Sequence, residues 1–505
     1  MLRWYLLSLA LLGLCAPSWA QDSSSTRRIE VEHADRLLGS KRTGKSRLLG
    51  NVRFSHEGAL MFCDSAWLFS RENRLRAFRN VRLNQGDTLF LTGDYLEYNG
   101  QTRQALVTGD TVTLRDPQMT LLTDRLRHNR EQELSYYTTG GRIINEENVL
   151  TSRRGYYHSG RRMFYFKDSV VLTNPDYVMR SDTLDYSSYS RIAYFKGPST
   201  ITSDSSYIYC ENGLYRTQED VAQFEKNAYL YDGNRSLTGD SLYYEKYHDY
   251  GEAFGHVRIS DTVENYLLTG AYGQYSGHSD SAFVTGQPIY SLADAENDSL
   301  HVHGDTIYST QPQDSATDPY RLVQVYHGVR FYKTSLQGRS DSLTYSSQDS
   351  TFRLYRQPLL WDDSTQVSGD TIYLSTRQQQ PDSLFVFQNA FMTGVVDSLR
   401  YNQISGRKIT GKFVDKALRR VYVNGNGQAI YYPEEENGDL MGMNRSLCAN
   451  MVIYLSNSRV EKIILLNEPE GKMYPLQDVP EDKKRLEGFA PQFDLRPRSK
   501  KDILR

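Results

Sequence analysis

The sequence predicts an all-β chain, an elongated stack of antiparallel strands built from one repeat. Three observations carry that prediction. A Gly-Asp-x-Leu-x-Tyr motif and its variants recur about every 30 residues, the period of a repeat architecture. The segments between copies alternate apolar and polar residues with period two, as strands with one buried face do. Tyrosine is abundant, 38 residues against 19 Phe and 4 Trp, and its apolar ring with a polar tip suits a half-buried pleated surface.

The chain opens with the pattern of an export signal. Arg3 supplies a positive start, residues 6–14 an apolar run, and Ser18 and Ala20 the small residues before a cleavage site after Ala20. The run is shorter than the roughly 20 residues a membrane span needs. Residues 1–20 are therefore expected to be a cleaved signal peptide, 21–466 the repeat body and 467–505 a Pro- and charge-rich tail with partial order. Cysteines 63, 210 and 448 would remain in the mature chain. They are too few and too widely spaced for a disulfide scaffold or a zinc pattern.

Within the body, good copies are Gly93-Asp94-Tyr95-Leu96-Glu97-Tyr98 and Gly239-Asp240-Ser241-Leu242-Tyr243-Tyr244. Variants begin at Ser181-Asp182, Gly304-Asp305, Ser340-Asp341 and Gly369-Asp370, and degenerate ones at Cys63-Asp64, Thr123-Asp124, Arg153-Arg154, Glu211-Asn212, Gly270-Ala271 and Gly406-Arg407. The first eight anchors, 64, 94, 124, 154, 182, 212, 240 and 271, are spaced by 28 to 31 residues. The second half of each copy is a strand such as Gly50-Asn51-Val52-Arg53-Phe54 or Gly255-His256-Val257-Arg258-Ile259. Asp, Leu and Tyr at positions 0, +2 and +4 are expected on one strand face, with Leu and Tyr in the interior. The Gly suits a bend, and the Asp can accept hydrogen bonds from backbone N–H groups freed there. One copy cannot bury its apolar face alone, but stacked neighbours can. The polar stretch 311–320 reads as a loop or a junction between two stacks.

Charges nearly balance, 59 Lys+Arg against 61 Asp+Glu, which argues against a nucleic-acid partner. No catalytic constellation is present, so an enzyme is not expected. Asp residues spread over every repeat suit architecture rather than the single close pair a glycosidase needs. His301 and His303 lack an obvious third ligand and read as solvated strand histidines, and no metal or cofactor is expected. The pairs Arg153-Arg154, Arg161-Arg162 and Arg419-Arg420 read as solvated strand edges.

The signal segment, the Gly-Asp-x-Leu-x-Tyr strands and the Gly-Asn-Val strands resemble the OstA/LptA family, which handles lipopolysaccharide in the periplasm. The likeness is best over 29–185 and recurs more weakly to Leu466. The length is most similar to the long OstA-like proteins of Bacteroidetes-type bacteria. The resemblance implies a β-jellyroll, or β-taco, of two facing sheets whose apolar groove carries lipid A acyl chains. It implies a periplasmic location, with association to the outer membrane, and a role in outer-membrane assembly. It also implies head-to-tail stacking through edge strands towards inner-membrane transporter components and an outer-membrane translocon. The groove lining would then include Leu96, Tyr98, Leu184, Tyr186, Leu242, Tyr244, Ile307, Leu343, Tyr345 and Ile372. The competing reading is an outer-membrane-associated β-solenoid, an adhesin or polysaccharide-binding protein with a solid core and no lipid transport. An outer-membrane barrel fits less well, because the strands lack a lipid-facing apolar band.

Overall fold

The computed structural model describes residues 28–505 except 41, 87–88, 118, 294–297, 313–318, 379, 436 and 457–458. The expected signal peptide and the centre of the 311–320 stretch lie outside the described residues. Nearly everything else before Pro475 is antiparallel strand. Two compact units make up the chain, Met1–Phe166 and Lys167–Arg505.

Successive strands pair as a meander. Lys45–His56 pairs with Ala59–Phe69, that strand with Arg74–Gln85, and that with Leu89–Asn99. The register slips at the middle of each pairing. Leu49 lies opposite Ser65 and Val52 opposite Cys63, so Gly50 and Asn51 together face Asp64. At these slips two consecutive residues take left-handed backbone angles: Gly50 and Asn51, Arg79 and Asn80, Lys226 and Asn227, Gly255 and His256, Gln388 and Asn389. Two residues against one is a β-bulge, and a bulge bends its strand.

Aligned bulges fold the sheet along one line into two facing walls. In the first unit the upper wall includes residues 52–56, 59–63 and 81–85, and the lower wall 45–49, 65–69 and 74–78. Both turn apolar residues inward, among them Val52, Phe54, Met61 and Leu83 above and Leu48, Ala66, Leu75 and Leu96 below. The second unit repeats the scheme, with 257–261 and 266–270 above and 250–254 and 272–276 below. Opposite the bend, the hairpin turns of both walls line the mouth of the fold.

The all-β, antiparallel expectation holds, with corrections of detail. The facing walls are the two halves of the same bent strands, not separate sheets. Asp, Leu and Tyr of the motif do not share a face: Asp94 is exposed, whereas Leu96 and Tyr98 are buried. The bulge interrupts the two-residue alternation between Asp and Leu and turns the Asp outward. Two degenerate anchors sit one residue earlier than the motif alignment placed them. Glu211 takes the Asp position, bonding Asn227 at 2.9 Å as Asp64 bonds Asn80. Ser152 takes the small-residue position, its hydroxyl donating to the Arg154 carbonyl as that of Ser181 does to Thr183.

The tail, expected from its composition to be partly ordered, packs against the body. Residues 475–505 form a strap across the outer face of the upper wall in the second unit. Leu486 is buried against Phe391, Ile430, Tyr432 and Met443. The wall is consequently buried on both faces, and the run Ala390, Phe391, Met392 and Thr393 is buried without alternation. Two glutamines of the wall grip the strap by its backbone. Gln403 donates to the Lys484 carbonyl at 2.9 Å and accepts from Leu486 N at 2.8 Å. Gln366 does the same with Ala490 O (3.0 Å) and Gln492 N (2.7 Å). Arg496 donates to Gln337, and the last turn, Lys500–Leu504, buries Ile503 against Leu300–His303 and Leu322–Tyr332. Amide-to-backbone pairing does not depend on strap side chains, so a charged sequence with a few apolar anchors can lie down in one register.

Candidate functional site

The corner comes first, because it aims every inward side chain. The position before the Asp must be small. A Cβ on Gly93 would stand 2.5 Å from a methyl of Val107, and one on Gly369 2.5 Å from a methyl of Val386. Where glycine is absent, a hydroxyl or thiol fills the place. All three cysteines of the described chain, Cys63, Cys210 and Cys448, sit there, buried and unpaired to one another. Burial pushes the Cys63 thiol up to about 11 and the Cys210 thiol up to about 12, so both stay protonated and unreactive. The Asp carboxylate ties the bend from outside. Asp64 accepts from Asn80, Asp35 from Asn51, and Asp370 from Asn389, all partners on the left-handed pair of the following strand. Among these contacts only Asp94 accepts the expected backbone N–H, that of Asp110.

From that corner, the residue at +2 lies deep between the walls. Leu96, Ile307 and Ile372 have no exposed surface, and Leu184, Leu242 and Leu343 are buried. The residue at +4 reaches towards the mouth. Tyr98 is fully buried; Tyr186, Tyr244 and Tyr345 are half-buried. The tyrosine hydroxyls meet polar groups of the margin: Tyr244 donates to Asp249 and Tyr215 to Asp220. Desolvation pushes Tyr98 and Tyr345 above the usual phenol range and Tyr244 up to about 12, so all are neutral donors at neutral pH.

The mouth is bridged from wall to wall. In the first unit, Glu57 in an upper turn holds Arg103 in a lower turn by two hydrogen bonds, at 2.7 and 3.2 Å. Arg130 in the next lower turn donates to the carbonyls of His56 and Glu57 and to the Tyr98 hydroxyl, which lies 2.8 Å from His56 Nδ1. His128 below reaches Gln85 above. In the second unit, Arg321 below clasps Glu264 above through Nε and Nη2, at 2.8 and 3.1 Å. Arg235 above donates to Asp280 (3.0 Å) and Tyr275 (2.9 Å) below, and to Asp261 on its own wall. The hydrogen bond to Arg103 holds the Glu57 carboxyl below its usual range. Asp261 is likewise held low by hydrogen bonds from the Glu264 N–H, Arg235 and the Val263 N–H, which outweigh its desolvation.

Beyond the second clasp the walls part around a cavity of about 150 Å³. Leu300, Val302, Phe331, Leu343, Phe352, Leu354 and Leu374 make its apolar depth, and Tyr345 lies beside them. Asp298, Lys333, Thr376, Gln380 and Lys416 stand at its rim. An apolar cavity of this size holds a group about as large as benzene, so a whole acyl chain would require the walls to separate. Of the ten residues expected to line a groove, Leu343 and Tyr345 reach this cavity. The other eight are spread through the interiors of the two units.

His301 is half-buried and His303 is buried, so neither is a freely solvated strand histidine. His303 is buried and its Nδ1–H donates to the Pro288 carbonyl at 2.7 Å, while His301 pairs with Ser291, and the strap's last turn lies over their strand. Among the described residues no group of three or more His, Cys, Asp or Glu has the arrangement of a metal site. The sequence did not single out Arg103, Arg130, Arg235 or Arg321. Their one available signal was position: arginine in turns or at strand starts, with an acidic residue in a turn of the opposite wall more than one repeat away.

A folded sheet with an apolar interior and a bridged mouth now stands beside the sequence motifs. Residues 26–182 match the family described as OstA-like protein. That stretch is OstA-like, and it contains the first clasp. Among solved structures, the chain is similar to LptH of Pseudomonas aeruginosa, described as the LptA-homologous periplasmic component of a conserved lipopolysaccharide transport device. The likeness has 13% identity and a TM-score of 0.21, and covers 27% of this chain and 92% of LptH. No curated protein matches the chain.

Proposed function

We propose that this protein is a periplasmic scaffold that holds the acyl chains of lipopolysaccharide between its two walls and conveys the lipid from inner to outer membrane. The observation that carries the reading is the apolar interior bounded by a polar mouth within each unit, in a chain whose residues 26–182 match the OstA-like family. Acyl chains match the Leu and Ile layer, and a charged headgroup would rest among the tyrosine hydroxyls and mouth cations.

The exposed strands near the two termini support stacking on partners. Strands Glu30–His33 and Arg36–Ser40 are exposed throughout and leave Leu37 and Leu38 more than half exposed. Near the C-terminus, Glu470–Tyr474 is exposed along nearly its whole length. An uncovered edge with apolar side chains is a template for another strand, which suits inner-membrane transporter components at one end and an outer-membrane translocon at the other. No step of this role is catalytic.

The tight interior is also what a polysaccharide-binding solenoid without lipid transport would show. Native mass spectrometry of the protein released from the periplasm separates the two. Co-purifying lipopolysaccharide at about one lipid or more per chain is expected; a lipid-free chain that retains polysaccharide would overturn the transport reading.

A further inference from the structure

The second clasp is more than a tie between walls. It gathers two arginines, Arg235 and Arg321, and three carboxylates, Asp261, Glu264 and Asp280, at one point of the mouth. Arg321 is only 6% exposed, yet its guanidinium faces the mouth, where Glu264 at 35% exposure and the lower-turn Asp280 cover it. None of these five residues lines the cavity, but shared strands join it to the clasp. Arg321 opens the strand Leu322–Tyr332, which carries Phe331 of the cavity wall, and its N–H donates to Ser347, two residues beyond Tyr345 of the same cavity. A carboxylate that is one-third exposed can swing into water at small cost, and a guanidinium so released presents a planar fork that fits phosphate as well as it fits carboxylate.

Resting on the lipid-carrying reading, we propose that this clasp is a gate with a phosphate-binding state: the phosphate of an acylated ligand replaces Glu264 and Asp280 on Arg321 and Arg235, the walls part, and the acyl chain enters the cavity behind. The exchange breaks no covalent bond. The first clasp shares one element of this layout, an upper-turn glutamate, Glu57, held by a lower-turn arginine, Arg103.

The test uses the full-length mature chain and three probes: dodecyl phosphate below its micellar concentration, a neutral dodecyl glycoside, and inorganic phosphate. Binding is read by isothermal titration calorimetry. Dodecyl phosphate is expected to bind about tenfold or more tightly than the neutral probe, a difference of one charge-assisted hydrogen-bond set. Inorganic phosphate alone should bind weakly, since it gains nothing from the cavity. R321Q should reduce dodecyl phosphate to the affinity of the neutral probe. E264Q keeps the shape and one acceptor but weakens the competitor, and should tighten dodecyl phosphate several-fold while leaving the neutral probe unchanged. Should R321Q fail to fold, E264Q decides alone: unchanged affinity for dodecyl phosphate overturns the gate. Equal binding of charged and neutral chains overturns the gate and leaves lipid carriage standing. Failure of both acylated probes to bind overturns lipid carriage itself. Tight binding of inorganic phosphate alone would make the clasp an anion site unconnected to the cavity, and so also overturns the gate.

Discussion

At the residue scale the motif divides its work between two neighbours, and their substitutions should separate cleanly. Gly93 faces inward and leaves no room for a methyl beside Val107, whereas Asp94 is exposed and bonds one backbone N–H. G93A should therefore destabilise by about 1–3 kcal/mol through overpacking, and D94A by about 0.5–1 kcal/mol. Urea denaturation of the two variants checks the order, and a larger loss for D94A would contradict the corner as described. The motif was legible because the same steric need recurs at each bend. The outward turn of the Asp was not, since the bulge that flips the alternation is formed by residues on the next strand, 16 positions later. The cysteines were legible only afterwards: they stand wherever the corner takes a thiol in place of glycine. A second residue-scale prediction concerns pH. Burial, with the charge of Arg130 adding to it, drives His128 down from 6.5 to about 4; Ser135 and Gln85 hold the ring in its neutral form. Its folded value lies below its unfolded one, so the unfolded chain binds the proton first. The neutral ring's contribution is complete above pH 6.5 and is lost as pH falls towards 4. The loss is on the order of 3 kcal/mol. Stability of the native chain measured across that range should fall more steeply than that of H128Q, and parallel curves would show that His128 is not the group responsible.

At the element scale the C-terminal strap is the part least readable in the sequence. Its prolines and charges resemble a solvated tail, and the features that seat it lie elsewhere: Gln366 and Gln403 on the wall, spaced to meet the strap backbone at residues 490–492 and 484–486. Glutamines on two different strands, Gln403 and Gln366 with Trp361 beside it, were the available hint. Their outer face was assigned to water because period two assigns every second residue to water. Removing residues 475–505 should uncover Trp361, which has no exposed surface in the intact chain. With W67F in a chain lacking residues 1–20, Trp361 is the sole tryptophan. Its emission should then shift to the red on truncation. Q403A removes two hydrogen bonds to the strap, at about 1–3 kcal/mol, and should make residues 475–490 the first site of limited proteolysis. An unshifted emission and an unchanged proteolysis pattern would mean that the strap contributes nothing to the wall beneath it.

At the scale of the whole molecule, repetition gives each unit an apolar interior and the mouth contacts decide where it can be reached. The interior was legible, because a motif that puts Leu at +2 and Tyr at +4 in copy after copy stacks those side chains whatever the loops do. The bridges were not, because ion pairs between turns more than one repeat apart leave no periodic trace. The two facts together predict a graded pattern of lipid contact. Leu343 and Tyr345 border the existing cavity, whereas Leu96 lies fully buried behind Glu57, Arg103 and Arg130. Photo-crosslinking side chains at 343 and 345 should capture lipopolysaccharide in the native chain. A crosslinker at 96 should capture several-fold less until E57Q weakens the first clasp; that loss of a charge-assisted pair is about 1.5–3 kcal/mol, or ten- to a hundredfold in the population of the open mouth. Equal labelling at 96 and 343 in the native chain would show that the mouth contacts do not control access, and labelling only from outward positions such as Asp94 would place the lipid outside the walls.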